Sequence, residues 1–188
     1  MGTEELERLS IEHIRIYESF EKKEKCALCR SIEEFENQIL NSISTDLVMD
    51  LDFFPKFDDE YTFCDYHMSK MEGMRDKLGM AIMLKKLITL EIRKMENGQV
   101  ENKTSKLFMK KSHDKKCFVC EKVNIKAMNS DISITLDLWK NKESFRENFR
   151  KQEYFCFKHN RLLINEAKNK LSKKEFQVFK EEITNVQM

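Results

Sequence analysis

The chain has 188 residues, with 34 basic side chains against 33 acidic ones, and it contains a single proline and four glycines. This length suffices to bury a sizeable core without disulfides, and the scarcity of proline and glycine argues against a fold rich in strands and tight turns. The balanced charge gives no overall field that would steer the chain to nucleic acid or to an anionic membrane, so the composition predicts an all-α protein in one compact unit.

The first predicted helix covers residues 3–23, where apolar side chains recur along one face. The acidic start of the chain lacks the basic and apolar regions of a secretory signal, and Leu6 stands where a myristoylation motif requires Ser or Thr. No apolar run approaches the length that spans a bilayer. We therefore expect a cytoplasmic protein without a membrane anchor.

Two more helices are predicted in the first half. One follows Cys29 and carries an apolar stripe at Ile32, Phe35, Ile39, Ile43 and Leu47. After a break around Pro55, a long helix is predicted from near Cys64 to Met95, where Asn97 and Gly98 end it. Residues 97–106 have the composition of a linker.

The second half repeats this plan. A helical region follows Cys120, a break precedes Tyr154, and a last helix runs from about Cys156 to Leu171. The short run 132–138 fits either a strand or a helix. The predicted organisation is two tandem helical repeats, with a first repeat at 1–96 that includes the N-terminal helix, the linker at 97–106 and a second repeat at 107–188.

Cysteines and histidines mark the repeat, since each half contains a CxxC pair and, later, a CxxH pair. The first half supplies Cys26, Cys29, Cys64 and His67, and the second half supplies Cys117, Cys120, Cys156 and His159. The second set follows the first at an offset of 91 residues for CxxC and 92 for CxxH, and aromatic positions such as Phe54 and Phe145 keep the same relation. Duplication is the simplest account.

These residues predict metal sites, because three thiolates and one neutral imidazole close a tetrahedral zinc shell. All six cysteines and two of the four histidines belong to the motifs, which argues against cysteines that are merely buried. We predict two zinc ions per chain, each cross-linking the base of a helical hairpin. Iron–sulfur ligation and a dithiol redox site are the alternatives; cluster motifs gather their cysteines more tightly, and a thioredoxin-type CxxC follows a strand.

The motifs permit two ligand pairings. In local pairing, the Cys26 and Cys29 thiols share an ion with Cys64 and His67; in exchanged pairing, the CxxC of one repeat meets the CxxH of the other. The difference in loop-closure entropy is about 1 kcal/mol or less and does not decide the matter. We expect local pairing, because a half that completed its own site could fold before it was duplicated.

Other residues were weighed for a role near the metal. Asp46 and Asp137 occupy matching positions, where a carboxylate could hydrogen-bond a zinc-binding histidine or act as a helix N-cap, and we favour the N-cap. His13 and His113 have no counterpart in the other repeat, which indicates surface or core residues. Two sets of aromatic side chains are predicted to be core: Phe53, Phe54, Phe57, Phe63, and Trp139, Phe145, Phe149, Phe155.

The motifs resemble those of a bacterial family of unknown function, whose members carry paired CPxC and GFCxxH motifs separated by a helical spacer. The likeness rests on Cys26-Ala27-Leu28-Cys29 with Phe63-Cys64-Asp65-Tyr66-His67, and on Cys117-Phe118-Val119-Cys120 with Phe155-Cys156-Phe157-Lys158-His159. Ala27 and Phe118 replace the usual proline, and Thr62 and Tyr154 replace the usual glycine. The resemblance covers nearly the whole chain and implies the ligand pattern but no activity.

The predicted function is a non-catalytic zinc-binding scaffold that binds another protein. Four protein ligands leave no open coordination position, and the chain shows no HExxH motif, phosphate-binding glycine loop or nucleophile–base pair. The alternative is a thiol or metal redox sensor that uses the zinc-bound cysteines. Only the basic cluster between Lys106 and Lys116 favours a nucleic-acid partner, which we do not expect.

Overall fold

The all-α prediction is confirmed by the computed structural model, which describes residues 10–97, 115–124 and 128–186. Two short strands, β1 (Tyr61–Thr62) and β2 (Lys116–Cys117), pair in parallel, with Thr62 opposite Cys117. The helices in these ranges are α1 Ile11–Glu21, α2 Ala27–Thr45, α3 Lys56–Asp59, α4 Asp65–Glu72, α5 Lys77–Glu96, α6 Phe118–Lys122, α7 Met128–Asn141, α8 Glu143–Arg150, α9 Phe157–Lys170 and α10 Lys173–Asn185.

The chain divides into two compact units whose limits differ from those of the predicted repeats. The terminal unit consists of Met1–Phe35 and Val123–Met188, and the middle unit is Glu36–Lys122. These limits differ from the single unit with repeats at 1–96 and 107–188 that the sequence suggests. Apart from Asn97, the predicted linker lies outside the described residues.

Aromatic side chains fill the core of the terminal unit. Phe20 of α1 lies against Phe145 of α8 with ring centroids 4.7 Å apart, and Phe149 lies within 5.4 Å of Phe179 from α10. All four rings are fully buried. Burying such rings contributes roughly 1.5–3 kcal/mol each to stability. The predicted core residues Trp139, Phe145, Phe149 and Phe155 are all buried, which confirms this part of the prediction.

A buried ion pair joins three helices of the same unit. The Arg15 guanidinium on α1 donates to the Asp131 carboxylate on α7 at 2.6 Å, and the Ser31 hydroxyl on α2 donates to the same carboxylate at 2.8 Å. Arg15 also donates to the Ser31 carbonyl oxygen at 2.9 Å. Because a buried charge is tolerated only when its partners are satisfied, this network fixes how the three helices meet.

The middle unit has its own aromatic cluster, in which Phe53, Phe57 and Tyr61 surround Phe118. Of the predicted core residues here, Phe53, Phe54 and Phe57 are buried and Phe63 is partly buried. Helix α5 approaches the end of α2 so closely that a Cβ on Gly79 would lie 1.9 Å from the Ser44 carbonyl oxygen. Only glycine fits at that crossing.

The helix boundaries differ from the sequence prediction at several places. The first helix, predicted at 3–23, begins at Ile11 after its N-cap Ser10 and ends at Glu21. The single long helix predicted from Cys64 to Met95 is wrong: α4 ends at Glu72, and α5 begins after Asp76, whose carboxylate accepts the Gly79 backbone N–H at 2.8 Å. Helix α10 was not predicted, although Ser172 and Glu175 form a capping box, which is a readable start signal. The ambiguous run 132–138 is helical.

Within the described ranges, no helix combines the length and the apolar character that crossing a membrane requires.

Candidate metal centres

The terminal unit brings together the CxxC pair of the first repeat and the CxxH pair of the second. We call this group the terminal centre; it consists of Cys26, Cys29, Cys156 and His159. The Nδ1 atom of His159 lies 3.5 Å from the sulfur of Cys26 and 3.3 Å from the sulfurs of Cys29 and Cys156. His159 and Cys26 are buried.

The middle unit holds the complementary group, the middle centre, which consists of Cys64, His67, Cys117 and Cys120. Here the Nδ1 atom of His67 lies 3.1 Å from the Cys64 sulfur, 3.3 Å from the Cys117 sulfur and 3.5 Å from the Cys120 sulfur. In each centre, the four candidate ligand atoms lie within 4.8 Å of one another. Both centres therefore offer three sulfurs and one imidazole nitrogen facing a common point.

The expected local pairing is wrong, because each centre combines motifs from different repeats. In the middle unit, the parallel pairing of Tyr61 with Lys116 and of Thr62 with Cys117 places the second CxxC beside the strand that leads into Cys64. The backbone N–H of Lys116 donates to the Glu60 carbonyl oxygen at 3.2 Å. Two-residue strands leave no periodic signal in a sequence, so the contact that selects the pairing was not visible there.

Every ligand pair lies at the start of a helix. Cys64 and Cys156 are the N-cap residues of α4 and α9, and the histidine follows one turn later. In the same way, Cys26 directly precedes α2 and Cys117 directly precedes α6, with the second cysteine inside the first turn. A three-residue spacing across a helix start turns both side chains to one side, and the partial positive charge of a helix N-terminus stabilises thiolate.

The interatomic distances fit a tetrahedral ion. Metal–sulfur bonds of about 2.3 Å and metal–nitrogen bonds of about 2.0–2.1 Å place two sulfurs about 3.8 Å apart and a sulfur and a nitrogen about 3.5 Å apart. The sulfurs of Cys29 and Cys156 are 3.6 Å apart, and those of Cys64 and Cys120 are 3.8 Å apart. A disulfide would require about 2.05 Å, and all six cysteines are free thiols.

The electrostatics of the protein groups alone favour protonated thiols at Cys29 and Cys120 and a neutral imidazole at His159. Burial, with the neighbouring thiols adding to it, raises the pKa of Cys29 to about 12 and that of Cys120 to about 12. Burial also acts to raise the pKa of Cys64, but hydrogen bonds from the His67 backbone and from nearby side chains bring it down to about 7. Burial and then Lys158 lower the pKa of His159 to about 4. A divalent cation would supply the charge that holds three thiolates together, and its binding would release protons.

The two histidines differ at their second ring nitrogen. The Nε2 atom of His67 lies 2.7 Å from a carboxylate oxygen of Glu36, and the other oxygen of that carboxylate accepts from Lys70 at 2.5 Å. The Nε2 atom of His159 is buried and has no hydrogen-bond partner in the described residues. A carboxylate in this position orients the ring and raises its basicity toward a metal, so the middle centre has a support that the terminal centre lacks.

Sequence reasoning missed Glu36 and named Asp46 and Asp137 as candidates for this contact. Asp46 caps the 3₁₀ turn Leu47–Met49 without a side-chain hydrogen bond, and Asp137 accepts from Asn141 at 2.8 Å. Neither contacts a ligand histidine. The favoured N-cap role is confirmed for Asp46, the N-cap residue of that turn, and is wrong for Asp137, which lies inside α7. One feature of the sequence could have pointed to Glu36: it is a carboxylate among the apolar residues of α2, beside Phe35 and four residues before Leu40. In the structure, Glu36 is buried.

The other residues considered in the sequence are His13, His113 and the basic cluster, and the structure describes only part of them. His13 is partly buried, and its Nε2 atom is 3.7 Å from the Asp137 carboxylate. His113 lies outside the described residues, as does most of the basic cluster from Lys106 to Lys116. Of that cluster, Lys115 donates to the Phe57 carbonyl oxygen and Lys116 pairs with Glu121.

Comparison with known proteins gives one family match. A family model described as "Family of unknown function (DUF6062)" matches residues 8–188 and therefore includes all eight residues of the two centres. No curated protein and no solved structure matches the chain.

Proposed function

We propose a function from the two centres themselves, because the chain belongs to the DUF6062 family, whose function is not known. The proposed role of the protein is that of a non-catalytic, zinc-binding helical scaffold that holds two zinc ions per chain and binds another protein. The observation that carries the proposal is the presence of two groups of three cysteines and one histidine, each with its ligand atoms within 4.8 Å of one another. A ligand set of this kind suits structural zinc.

Zinc fits the donor atoms better than the other metals considered. Three soft thiolates and an imidazole at tetrahedral spacing select zinc or an iron–sulfur cluster. A cluster contains several irons and bridging sulfides and needs more room than the Nδ1–sulfur distances of 3.1–3.5 Å around His67 leave. Four protein ligands complete the zinc shell, so neither ion has a position for water or substrate.

A scaffold role follows from what the ligands connect. The terminal zinc would join the N-termini of α2 and α9, and the middle zinc would join those of α4 and α6. Each ion would connect segments that are far apart in sequence, such as those that contain Cys29 and Cys156. Closing such loops by metal stabilises a small unit that has a limited core of its own.

Internal duplication is part of the proposal and is supported by the positions of the helices. The helix that contains the second cysteine of each CxxC begins at Ala27 in one repeat and at Phe118 in the other, which is an offset of 91 residues. The helix that carries each ligand histidine begins at Asp65 and at Phe157, an offset of 92. Equivalent starts at the offsets of the ligands are what a copied segment would retain.

A protein partner is supported by large apolar side chains that remain exposed on α5, including Ile88 and Met95. A contiguous exposed apolar patch marks an interaction site more often than an accident of composition.

A reducing cytoplasm is the compartment in which six thiols stay available for metal, and we propose it as the location of the protein.

Metal content tests the proposal. Protein purified without chelators should contain two zinc ions per chain by elemental analysis, should be colourless, and should lose helical signal when a strong chelator removes the zinc. Protein with intact thiols and neither zinc nor iron would contradict the proposal, and a coloured sample with iron would replace zinc by a cluster. Release of zinc by mild peroxide, with the fold retained and the affinity for a partner changed, would favour the redox sensor instead.

The contact between Glu36 and His67 leads to a second expectation. Glu36→Ala should weaken zinc binding at the middle centre by about 10–100-fold, because the carboxylate that orients the imidazole is lost. Zinc binding at the terminal centre should not change. Competition with a chromogenic chelator, which titrates the two ions of each chain in turn, measures both affinities.

The matched control is Glu34→Ala on the same helix, since the Glu34 carboxylate pairs with Lys22 at 3.1 Å and not with a ligand. This control should titrate like the parent. Equal titration curves for Glu36→Ala and the parent would show that the carboxylate has no influence on the metal.

A further inference from the structure

Helix α5 has two apolar faces, of which the structure covers one. Met80, Met83 and Leu90 are buried in the middle unit. On the other side, Leu84, Ile88, Ile92 and Met95 are 37%, 57%, 48% and 63% exposed. Together with the exposed Ala81, they recur every three or four residues and form a continuous stripe along about four turns. We call these five residues the α5 stripe.

The α5 stripe is symmetric about Ile88. When two copies of the helix run antiparallel with a two-fold axis beside Ile88, Leu84 of each copy faces Ile92 of the other, and Ala81 faces Met95. Only apolar side chains then meet along the seam. A surface that matches itself under a two-fold rotation is the requirement for an isologous dimer.

One pair of opposite charges beside the stripe follows the same symmetry. The rotation that pairs the apolar residues also places Lys85 of each copy opposite Glu91 of the other, so that two ion pairs form across the seam. Both side chains are exposed. Within its own chain, the Glu91 carboxylate accepts from Lys94 at 2.9 Å. The Glu91 side chain nevertheless remains 63% exposed. Opposite charges at symmetric positions fix both the antiparallel direction and the register.

We propose that a second copy of this chain covers the α5 stripe, forming an antiparallel α5–α5 homodimer centred on Ile88. The inference names a partner for the protein-binding role proposed above and rests on that role, but it uses no metal ligand. A second copy is favoured as the occupant because the apolar residues of the stripe and the Lys85–Glu91 pair both match themselves under one two-fold rotation.

The dimer is expected to be weak and reversible. Five partly exposed aliphatic side chains per copy, with their neighbours, bury roughly 1,000 Å² in total, which is at the small end of specific interfaces. A dissociation constant in the micromolar range is typical of such an area when the core is aliphatic and lacks aromatic anchors. The dimer should therefore appear only as the protein concentration rises.

The test uses the full-length, zinc-loaded protein in sedimentation velocity from about 5 to about 500 µM. The parent should change from monomer to dimer within this range. Lys85→Glu puts an acidic side chain opposite Glu91 at both symmetric contacts of the dimer. Glu91→Lys puts a basic side chain opposite Lys85 at both contacts. Because like charges then face each other, each variant should dimerise at least about tenfold more weakly than the parent. An equimolar mixture of the two variants pairs Glu with Lys at both positions and should form a heterodimer with about the parent's affinity.

Restored association in the mixture supports the proposal, and so does parent-like dimerisation of the double variant Lys85→Glu/Glu91→Lys, which carries both exchanged charges in one chain. The double variant also serves if a single variant proves unstable. A parent that stays monomeric throughout, or charge variants that dimerise like the parent, would overturn it. Zinc content measured in the same samples separates this result from the proposed function, because a monomer with two zinc ions refutes the dimer alone.

Discussion

Cys29→Ser and Cys120→Ser are each expected to lower the free energy of unfolding by at least about 3 kcal/mol when zinc is present. A structural zinc ion contributes its binding free energy to folding, and the loss of one of four ligands removes most of it. A hydroxyl is a poor zinc ligand at neutral pH, so serine keeps the size of the side chain but not the bond. Thermal or denaturant unfolding followed by circular dichroism measures the change.

The two variants should weaken different parts of the chain. Cys29 belongs to the terminal centre and Cys120 to the middle centre, so each substitution should first unfold its own unit, and two transitions should appear in place of one. The exposed substitution Ser69→Ala, on the helix that carries His67, is the control and should stay within about 0.5 kcal/mol of the parent. A strong chelator should abolish the difference between parent and variants. Variants that melt like the parent in zinc would contradict the cross-linking role.

The candidate ligands could be predicted from the sequence because the spacing of each pair acts locally. A cysteine and a second ligand three residues later, placed at the start of a helix, point to one side whatever the rest of the chain does, as Cys64 and His67 do. The aromatic core was predictable for a related reason: residues such as Phe145 and Phe149 repeat at helical spacing and have few alternatives to burial.

The pairing of the ligands could not be predicted, because it depends on contacts between distant segments. Loop closure changes only with the logarithm of loop length, so a CxxH can meet either CxxC at similar entropic cost. The deciding contacts include a two-residue parallel pairing, Tyr61–Thr62 with Lys116–Cys117, and neither segment has a recognisable strand pattern. Local pairing, expected from duplication, is wrong because the middle unit, Glu36–Lys122, begins inside the predicted first repeat at 1–96 and ends inside the predicted second repeat at 107–188.

The two units complete their candidate ligand sets in different ways. The middle unit, Glu36–Lys122, is continuous in sequence and contains a complete ligand set, with CxxH before CxxC. The terminal unit completes its own set from the two ends of the chain. The folding unit in the middle of the chain therefore begins within α2 and ends after the second CxxC. It does not begin at a CxxC, as the predicted repeats suggest.

Glu36 shows how a functional contact can be hidden in an otherwise readable helix. Its position on the apolar stripe of α2 was visible, but its partner His67 is 31 residues away and belongs to another element. The position 91 residues on, at the offset of the CxxC pairs, is Ala127, whose side chain has no hydrogen-bonding group. The two centres therefore share their ligands but differ in the groups that support them.

The zinc content of two double variants of the full chain tests the exchanged pairing most directly. Cys29→Ser/His159→Ala damages only the terminal centre and should retain about one zinc ion per chain after dialysis against a weak chelator, whereas Cys29→Ser/His67→Ala damages both centres and should retain almost none. Elemental analysis with a protein assay gives the ratio. The reverse result, with zinc kept by the Cys29→Ser/His67→Ala variant and lost from the other, would contradict the exchanged centres and restore local pairing.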